Sequence, residues 1–286
     1  MRIEKLNSLF GGEVFDVNCR IAPAPSLAAE LRAALRQHAV LVFPDQVLDD
    51  AQQIAFSQGF GPLEQTKVGT LGSGSQVVVL TNIGPDGAVV PPSHRQSLNN
   101  RANMLWHTDS SFKPMPAEAS MLSARLIPAT GGDTEFICMR SVYAALPDVL
   151  KAEIAGRVAI HDFAHSRSKI DPSLVTQAER DSLPPVRQAM VLDHGPALGK
   201  SLYLGAHAKA IEGMDDNSAG ALIDELMDFA TQDQFIYRHR WRPNDLLIWH
   251  NRTVLHRATP FDAGQEKRLM VRTTIAGDRP TLAVGA

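Results

Sequence analysis

Three side chains in this sequence are suited to binding one transition-metal ion. His107 and Asp109 stand two residues apart, and a second histidine, His256, lies far along the chain. In an extended segment, residues i and i+2 point to the same face, roughly 7 Å apart, so this imidazole and carboxylate can converge on one ion. Two histidines and one carboxylate form the facial triad that holds non-haem Fe(II) and leaves coordination positions open. A packed His107–Asp109 ion pair is the structural alternative, because H-x-D occurs often by chance.

The second histidine of this triad has two candidates in one apolar segment. DLLIWHNRTVLH (245–256) predicts a buried strand, with His250 inside it and His256 at its end, before a turn. Six residues of strand span roughly 20 Å, so we do not expect both histidines to serve the same ion. The chain has ten histidines, so position and not residue type favours His256.

Short strand patterns separated by Gly- and Pro-rich turns must position these residues. They cover 39–43, 75–83, 120–128, 200–206, 245–251 and 269–276. Helix patterns follow Ser26, a candidate N-cap, and Asp49, and they recur at 141–156 and 218–232. The turn-rich stretch 84–101 predicts a loop or lid. The pattern favours a mainly β chain with peripheral helices (α+β), arranged as a sandwich or barrel.

Composition excludes several classes of protein. The 286 residues carry a formal net charge of −3, which argues against nucleic acid as a partner. The two cysteines, Cys19 and Cys138, are too few for a disulfide framework. The N-terminus lacks the apolar core of a signal peptide, and no apolar run approaches the roughly 20 residues that span a bilayer. We therefore expect a cytoplasmic protein without membrane contact, and a homo-oligomer is compatible with the sequence.

Several ordered motifs give the chain a specific resemblance. HTDSSF (107–112), GGDTEF (131–136) and WHNRTVLHRAT (249–259), followed by Arg268 and Arg272, resemble the taurine dioxygenase family of 2-oxoglutarate-dependent oxygenases. The resemblance runs from about residue 39 to 276. It implies a double-stranded β-helix (jelly roll), one domain over residues 1–286 and a lid within 64–104. It also implies Fe(II), with 2-oxoglutarate and O2 as cosubstrates.

The resemblance also implies roles for single residues. His107, Asp109 and His256 would be the iron ligands. Thr134 and Arg268 would bind 2-oxoglutarate, because a planar guanidinium can grip a carboxylate through two hydrogen bonds. Lys267 lies one residue from the expected register and remains the alternative to Arg268.

Prime-substrate residues follow from the same resemblance. Arg272 would bind the acid group of the substrate, with a surface strand residue as the alternative. Lys67, Asn82 and His207 are weaker candidates for substrate contact, and a structural role is an equal alternative for each. His250 stands where relatives usually carry aspartate.

The resulting hypothesis is a dioxygenase that hydroxylates a small carboxylate, an aryloxyacetate such as 2,4-dichlorophenoxyacetate. Ala88 departs from the lysine expected at its position in relatives that act on such acids. The same chemistry on a sulfonate such as taurine is one alternative. A zinc hydrolase and a non-catalytic small-acid binding protein are two others, and release of succinate would separate them from the oxygenase.

Overall fold

Strands and helices alternate along the chain as far as residue 275. The computed structural model describes residues 1–66, 71 and 74–282. Its strands are β1 (Arg2–Lys5), β2 (Gly12–Phe15), β3 (Val40–Phe43), β4 (Val77–Thr81), β5 (Ala119–Leu126), β6 (Thr134–Cys138), β7 (Val158–His161), β8 (Val186–Ala189), β9 (Val191–Asp193), β10 (Lys200–Leu202), β11 (Ala208–Ile211), β12 (Ile236–His239), β13 (Leu246–His250), β14 (Val254–Ala258) and β15 (Leu269–Ile275). Its α-helices are α1 (Pro25–His38), α2 (Asp50–Gln58), α3 (Arg95–Ala102), α4 (Met139–Ala145), α5 (Asp148–Ile154), α6 (Phe163–Ser168), α7 (Gln177–Ser182) and α8 (Asp216–Ala230), with 3₁₀ turns at Pro172–Leu174 and Asp233–Phe235.

A seven-stranded sheet forms the largest layer, in the order β1-β2-β3-β13-β5-β15-β4. Smaller sheets have the orders β12-β6-β14, β11-β7-β8 and β10-β9. One face of the large sheet packs on α1 and α2, with Leu31 and Phe56 in the shared core. The other face packs on the β12-β6-β14 sheet around Phe136, Trp249 and Met270. The site lies between these two facing sheets.

Local chemistry sets where α1 and α2 begin, and the N-cap predicted for α1 is wrong. Asp49 caps α2, because its carboxylate accepts from the backbone N–H of Gln52 at 2.8 Å and the Gln52 side chain accepts from the Asp49 N–H at 3.0 Å. The helix therefore begins where the sequence predicted. Ser26 does not cap α1. That helix begins at Pro25, because proline has φ pre-set for the first turn and no N–H to satisfy there.

Two further expectations about helices were wrong in detail. The stretch 141–156 holds parts of two helices, α4 and α5, which Pro147 separates because it lacks a backbone donor. The stretch 84–101 is not only loop, since it contains most of α3. His94 caps this helix by accepting from the Gln96 N–H at 3.3 Å.

The segment 245–256 is two strands joined by a turn at 251–253, and not one strand. β13 belongs to the seven-stranded sheet and β14 pairs with β6 in the facing sheet. Strand length therefore does not separate His250 from His256, because the chain turns between them. The two side chains nevertheless have different surroundings. Cys19 and Cys138 are buried free thiols. Over the described residues, no helix has both the length and the apolar character that a membrane crossing requires.

Candidate metal centre and its two cavities

The two histidines of the triad are joined through their backbones. His107 N–H donates to the His256 carbonyl at 3.1 Å, and His256 N–H donates to the His107 carbonyl at 2.9 Å. This isolated antiparallel bridge brings the imidazole centroids to 4.2 Å. The H-x-D segment is thus a single bridge followed by a turn, not the extended strand that we expected. Ser110 has φ +57°, which ends the extended backbone directly after Asp109.

The turn directs the Asp109 carboxylate toward both imidazoles. Asp109 Oδ1 lies 3.9 Å from His107 Nε2, and Asp109 Oδ2 lies 3.6 Å from His256 Nε2. One ligand atom from each of the three buried residues lies within 4.8 Å of the other two. Two imidazoles and one carboxylate on one side of a cavity are the donor set of a facial triad. The residues present therefore fit Fe(II).

Hydrogen-bond partners orient the carboxylate and one imidazole. Arg272 Nη1 donates to Asp109 Oδ1 at 2.5 Å, and Ser120 Oγ donates to Asp109 Oδ2 at 2.6 Å. Ser120 in turn accepts from Asn251 Nδ2 at 3.0 Å. The Leu105 carbonyl lies 2.7 Å from His107 Nδ1 and can only accept, so Nδ1 carries the proton and Nε2 keeps a free lone pair. Such outer contacts fix metal ligands in place.

Electrostatics keep all three ligands in their metal-binding forms. Burial lowers the pKa of His107, and burial together with the charge of His107 lowers the pKa of His256 well below its ordinary value. Burial alone would raise the pKa of Asp109. The Arg272 guanidinium, followed by the two histidines, overcomes this effect and holds that pKa well below its usual range.

A small cavity of about 60 Å³ adjoins His256 and contains both residues predicted to bind 2-oxoglutarate. Arg268 reaches it from just before β15, and its buried Nε has no hydrogen-bond partner in the described part of the chain. Burial lowers the pKa of Arg268 to about 10. Thr134 Oγ1 accepts from Trp241 Nε1 at 3.1 Å, which leaves the hydroxyl proton free to donate. Lys267 is exposed and does not line the cavity, so the structure favours Arg268.

The loop that carries Arg268 is held in place by the turn at Gly131 and by hydrogen bonds from Asn82. Gly131 has φ +71°, and a Cβ there would lie 2.5 Å from the Pro260 carbonyl, so only glycine allows the approach. Asn82 Nδ2 donates to the carbonyls of Ala263 and Glu266 at 2.9 and 2.8 Å. Asn82 Oδ1 accepts from Arg268 N–H at 2.8 Å. The Asn82 amide thus makes three hydrogen bonds within the protein, although the residue also lines the small cavity.

A second, larger cavity of about 420 Å³ opens on the other side of His107 and Arg272. His207 lines it and lies edge-on to Phe112, with ring centroids 4.9 Å apart. Phe163 packs on Phe112, also at 4.9 Å. Burial, followed by the charge of Arg167, lowers the pKa of His207 well below its ordinary value, so its ring is neutral. Two phenylalanine rings and a neutral imidazole therefore form one part of a wall that also carries the Arg272 cation and many polar side chains.

Several predicted and unpredicted residues have other positions. Lys67 lies outside the residues that the structure describes. His250 faces away from the triad, with Nε2 3.1 Å from Glu118 Oε1 and Nδ1 3.0 Å from Thr253 Oγ1. Nothing in the sequence had pointed to Ser120 or Arg167. Both are single polar residues in ordinary strand and helix patterns, and only tertiary packing brings them to the site.

Comparison with known proteins agrees with this geometry. Residues 2–274 match the family model described as taurine catabolism dioxygenase TauD, TfdA family. The chain belongs to this family. A crystal structure of AAD-2 in complex with Mn(II) and N-oxalylglycine has a TM-score of 0.91 and 39% identity, and the match covers 99% of each chain.

Two curated members of the family show the range of its relatives. The alpha-ketoglutarate-dependent 2,4-dichlorophenoxyacetate dioxygenase of Cupriavidus pinatubonensis is 39% identical over 275 residues, which are 94% of this chain and 96% of that protein. The (S)-phenoxypropionate/alpha-ketoglutarate-dioxygenase of Sphingobium herbicidovorans is 38% identical over 258 residues, 87% of this chain and 86% of the relative.

Proposed function

We propose that this member of the family is an Fe(II)- and 2-oxoglutarate-dependent dioxygenase that hydroxylates an aryloxyalkanoate such as 2,4-dichlorophenoxyacetate. One observation carries the proposal. A His-Asp-His triad lies where two cavities meet, and each cavity is lined by a partly buried arginine side chain, Arg268 in the small one and Arg272 in both. A dioxygenase of this class needs one metal and two separate acid-binding sites, and this arrangement supplies them.

His107, Asp109 and His256 would hold the iron. When bound, Fe(II) activates O2 while 2-oxoglutarate is oxidised to succinate and CO2, and one oxygen atom is inserted into a substrate C–H bond. The protein's own residues fix this geometry. Leu105 sets the tautomer of His107, and Ser120 and Arg272 hold the two carboxylate oxygens of Asp109.

The small cavity would bind 2-oxoglutarate. Arg268 is suited to the distal carboxylate, because its Nε is buried and has no hydrogen-bond partner in the described chain. A carboxylate there would gain charge-assisted hydrogen bonds in a site that excludes water. Thr134 would add a neutral donor whose direction Trp241 sets.

The large cavity would bind the prime substrate. Arg272 would take the acid group, and Phe112, Phe163 and His207 would pack on the aryl ring. Hydroxylation of the carbon between the ether oxygen and the carboxylate gives a hemiacetal, which breaks down to a phenol and glyoxylate. The Phe112 and Phe163 rings favour an aryl acid over taurine, which has no ring to pack on them.

The finer features of the fold belong to the same proposal. We infer that residues 1–286 form one domain and that the two facing sheets form a double-stranded β-helix. A lid within 64–104 would cover the large cavity, since α3 lines its wall and Arg95 Nη2 donates to both carboxylate oxygens of Glu179 at 3.1 Å. The buried free thiols of Cys19 and Cys138 support a reducing compartment such as the cytoplasm.

An anaerobic titration with Fe(II) and 2-oxoglutarate tests the enzyme class. The wild type should develop the visible charge-transfer band of the Fe(II)–2-oxoglutarate complex, and His256→Ala should not. His250→Ala is the matched control, because His250 lies on the adjoining strand and contacts Glu118. A zinc hydrolase or a non-catalytic binding protein would give no such band and release no succinate. Retention of the band in His256→Ala would contradict the ligand assignment.

A further inference from the structure

A second arginine lines the large cavity beside Arg272. Arg167 lies in α6, and the residues lining that cavity include both arginines. The Arg167 guanidinium packs over the Phe163 ring, with Cζ 4.8 Å from the ring centroid. Its Nε is buried, and no hydrogen-bond partner for it exists within residues 1–66, 71 and 74–282. Two carboxylates that line the cavity, Asp109 and Glu179, form ion pairs with other arginines, Arg272 and Arg95.

The two arginines differ in their carboxylate partners within the described chain. Arg272 Nη1 donates to Asp109 Oδ1, so the nearest carboxylate, itself a predicted metal ligand, already pairs with that charge. Arg167 is close enough to Arg272 and Asp109 for their charges to shift its pKa. Burial, followed by the charge of Arg272, lowers the pKa of Arg167 to about 10, and Asp109 offsets part of this effect. Two partly buried cations that share one carboxylate leave a local excess of positive charge at the cavity wall.

A protein carboxylate does not remove that excess. Glu179 is close enough to favour the charged form of Arg167. It nevertheless accepts two hydrogen bonds from Arg95, and its side chain closes the capping box of α7 with Thr176. A monoanion that enters the cavity is therefore the natural partner of the Arg167 guanidinium.

We propose that Arg167 is a substrate-binding residue, the second guanidinium of a two-arginine site for the acid group of the substrate. This inference rests on the proposed function and extends it. Arg272 bridges the substrate acid and Asp109, while Arg167 supplies a charge that forms no ion pair with a carboxylate among the described residues. The Phe163 ring beneath Arg167 also lines the cavity, so acid group and aryl ring are recognised side by side.

Binding of an acid and of its neutral amide separates this role from simple packing. The probes are 2,4-dichlorophenoxyacetate and 2,4-dichlorophenoxyacetamide, titrated anaerobically into protein loaded with Fe(II) and 2-oxoglutarate. Arg167→Gln should weaken binding of the acid by about tenfold to a hundredfold, the range for a hydrogen bond to a charged group. Binding of the amide should change by less than about threefold, because a neutral ligand gains little from the charge. Arg167→Lys keeps the charge without the planar fork and should be intermediate.

Lys169→Gln is the control, because it removes a positive charge from the exposed residue at the end of the same helix. It should leave both affinities unchanged. If Arg167→Gln and Arg167→Lys keep the wild-type ratio of acid to amide affinity, Arg167 does not bind the acid, even though the enzyme class stands. Equal losses for acid and amide would likewise contradict the proposal and leave a packing role. If the wild type itself does not distinguish acid from amide, the proposed substrate class fails instead.

Discussion

Arg272 and Asp109 form an ion pair at the centre of the site, with Nη1 2.5 Å from Oδ1. The pair links the proposed metal site to the proposed acid-binding sites, because Asp109 lies beside the two histidines of the triad and Arg272 lines both cavities. Arg272 therefore contacts a proposed metal ligand as well as lining the proposed substrate cavity. Its removal should alter both substrate binding and the orientation of a metal ligand.

Substitution of Arg272 should therefore change two affinities. We expect Arg272→Gln to raise the KM for the best aryloxy acid by about tenfold to a hundredfold, because a buried carboxylate loses a charged partner. It should also weaken Fe(II) binding by about tenfold, as loss of an outer partner of a ligand does. Steady-state kinetics and an anaerobic metal titration measure the two effects. Uncoupled turnover of 2-oxoglutarate at saturating iron should persist, and an unchanged KM for the acid would contradict the role of Arg272.

Arg268 and its neighbour Lys267 offer a paired test of the cosubstrate site. Arg268→Ala should raise the KM for 2-oxoglutarate by about two orders of magnitude, because the distal carboxylate would lose a bidentate charged partner in a closed cavity. Lys267→Ala should change it little, since Lys267 is exposed. Initial rates at varied 2-oxoglutarate measure both. A larger effect of Lys267→Ala would show that the register is wrong by one residue.

Asn82 should act on the cosubstrate through the loop that it holds. Asn82→Asp keeps the acceptor for the Arg268 N–H but removes the donors to the Ala263 and Glu266 carbonyls. We expect a higher KM for 2-oxoglutarate, an unchanged KM for the aryl acid and a loss of about 1–3 kcal/mol in the free energy of unfolding. Kinetics with each substrate varied and urea unfolding test this. A selective rise in the KM for the acid would instead support direct substrate contact.

His250 has a structural role that depends on pH through Glu118. Burial alone would raise the pKa of Glu118, but the hydrogen bond and charge of His250, and then the charge of Arg252, lower it to about 2. A carboxylate with a lowered folded-state pKa stabilises the protein above its unfolded pKa, about 4.5, and loses that contribution as pH falls toward 2.

Glu118→Gln should accordingly lower the free energy of unfolding by on the order of 2 kcal/mol at pH 7. The difference from wild type should shrink as pH falls from 4.5 to 3. Urea unfolding at pH 7, 4 and 3 measures it. A difference that stays constant across this range would show that the charge of Glu118 contributes nothing.

Much of the site was predictable because its motifs depend on local chemistry. The strand β13, the capping box of α2 and the glycine turn before Thr134 follow from residue types a few positions apart. The spacing of His107 and Asp109 also indicated the triad, although the backbone there is a bridge and a turn. The structure brings these two side chains and His256 together, and their role as metal ligands stays a prediction.

The rest depended on contacts that sequence spacing does not encode. The turn between His250 and His256 sends the two strands on either side of it into different sheets, and strand length gives no sign of this. Arg167 lies on the six-residue helix α6. Only the tertiary packing of that helix places Arg167 in the wall of the cavity that Phe112 and Arg272 also line. The Ser120 hydroxyl could not be distinguished from any other serine in an apolar strand until Asp109 was in place.

Product analysis with an aryl acid tests the central claim most directly. Wild-type enzyme is supplied with Fe(II), 2-oxoglutarate and O2, and with 2,4-dichlorophenoxyacetate, (R)- or (S)-phenoxypropionates, or taurine. Succinate and phenol are then quantified together. We predict that at least one aryloxy acid stimulates succinate formation well above the uncoupled rate, with phenol released in equal amount, and that taurine does not. Stimulation by taurine and by no aryl acid would contradict the proposed substrate, and Fe(II)-independent release of phenol without succinate would contradict the dioxygenase itself.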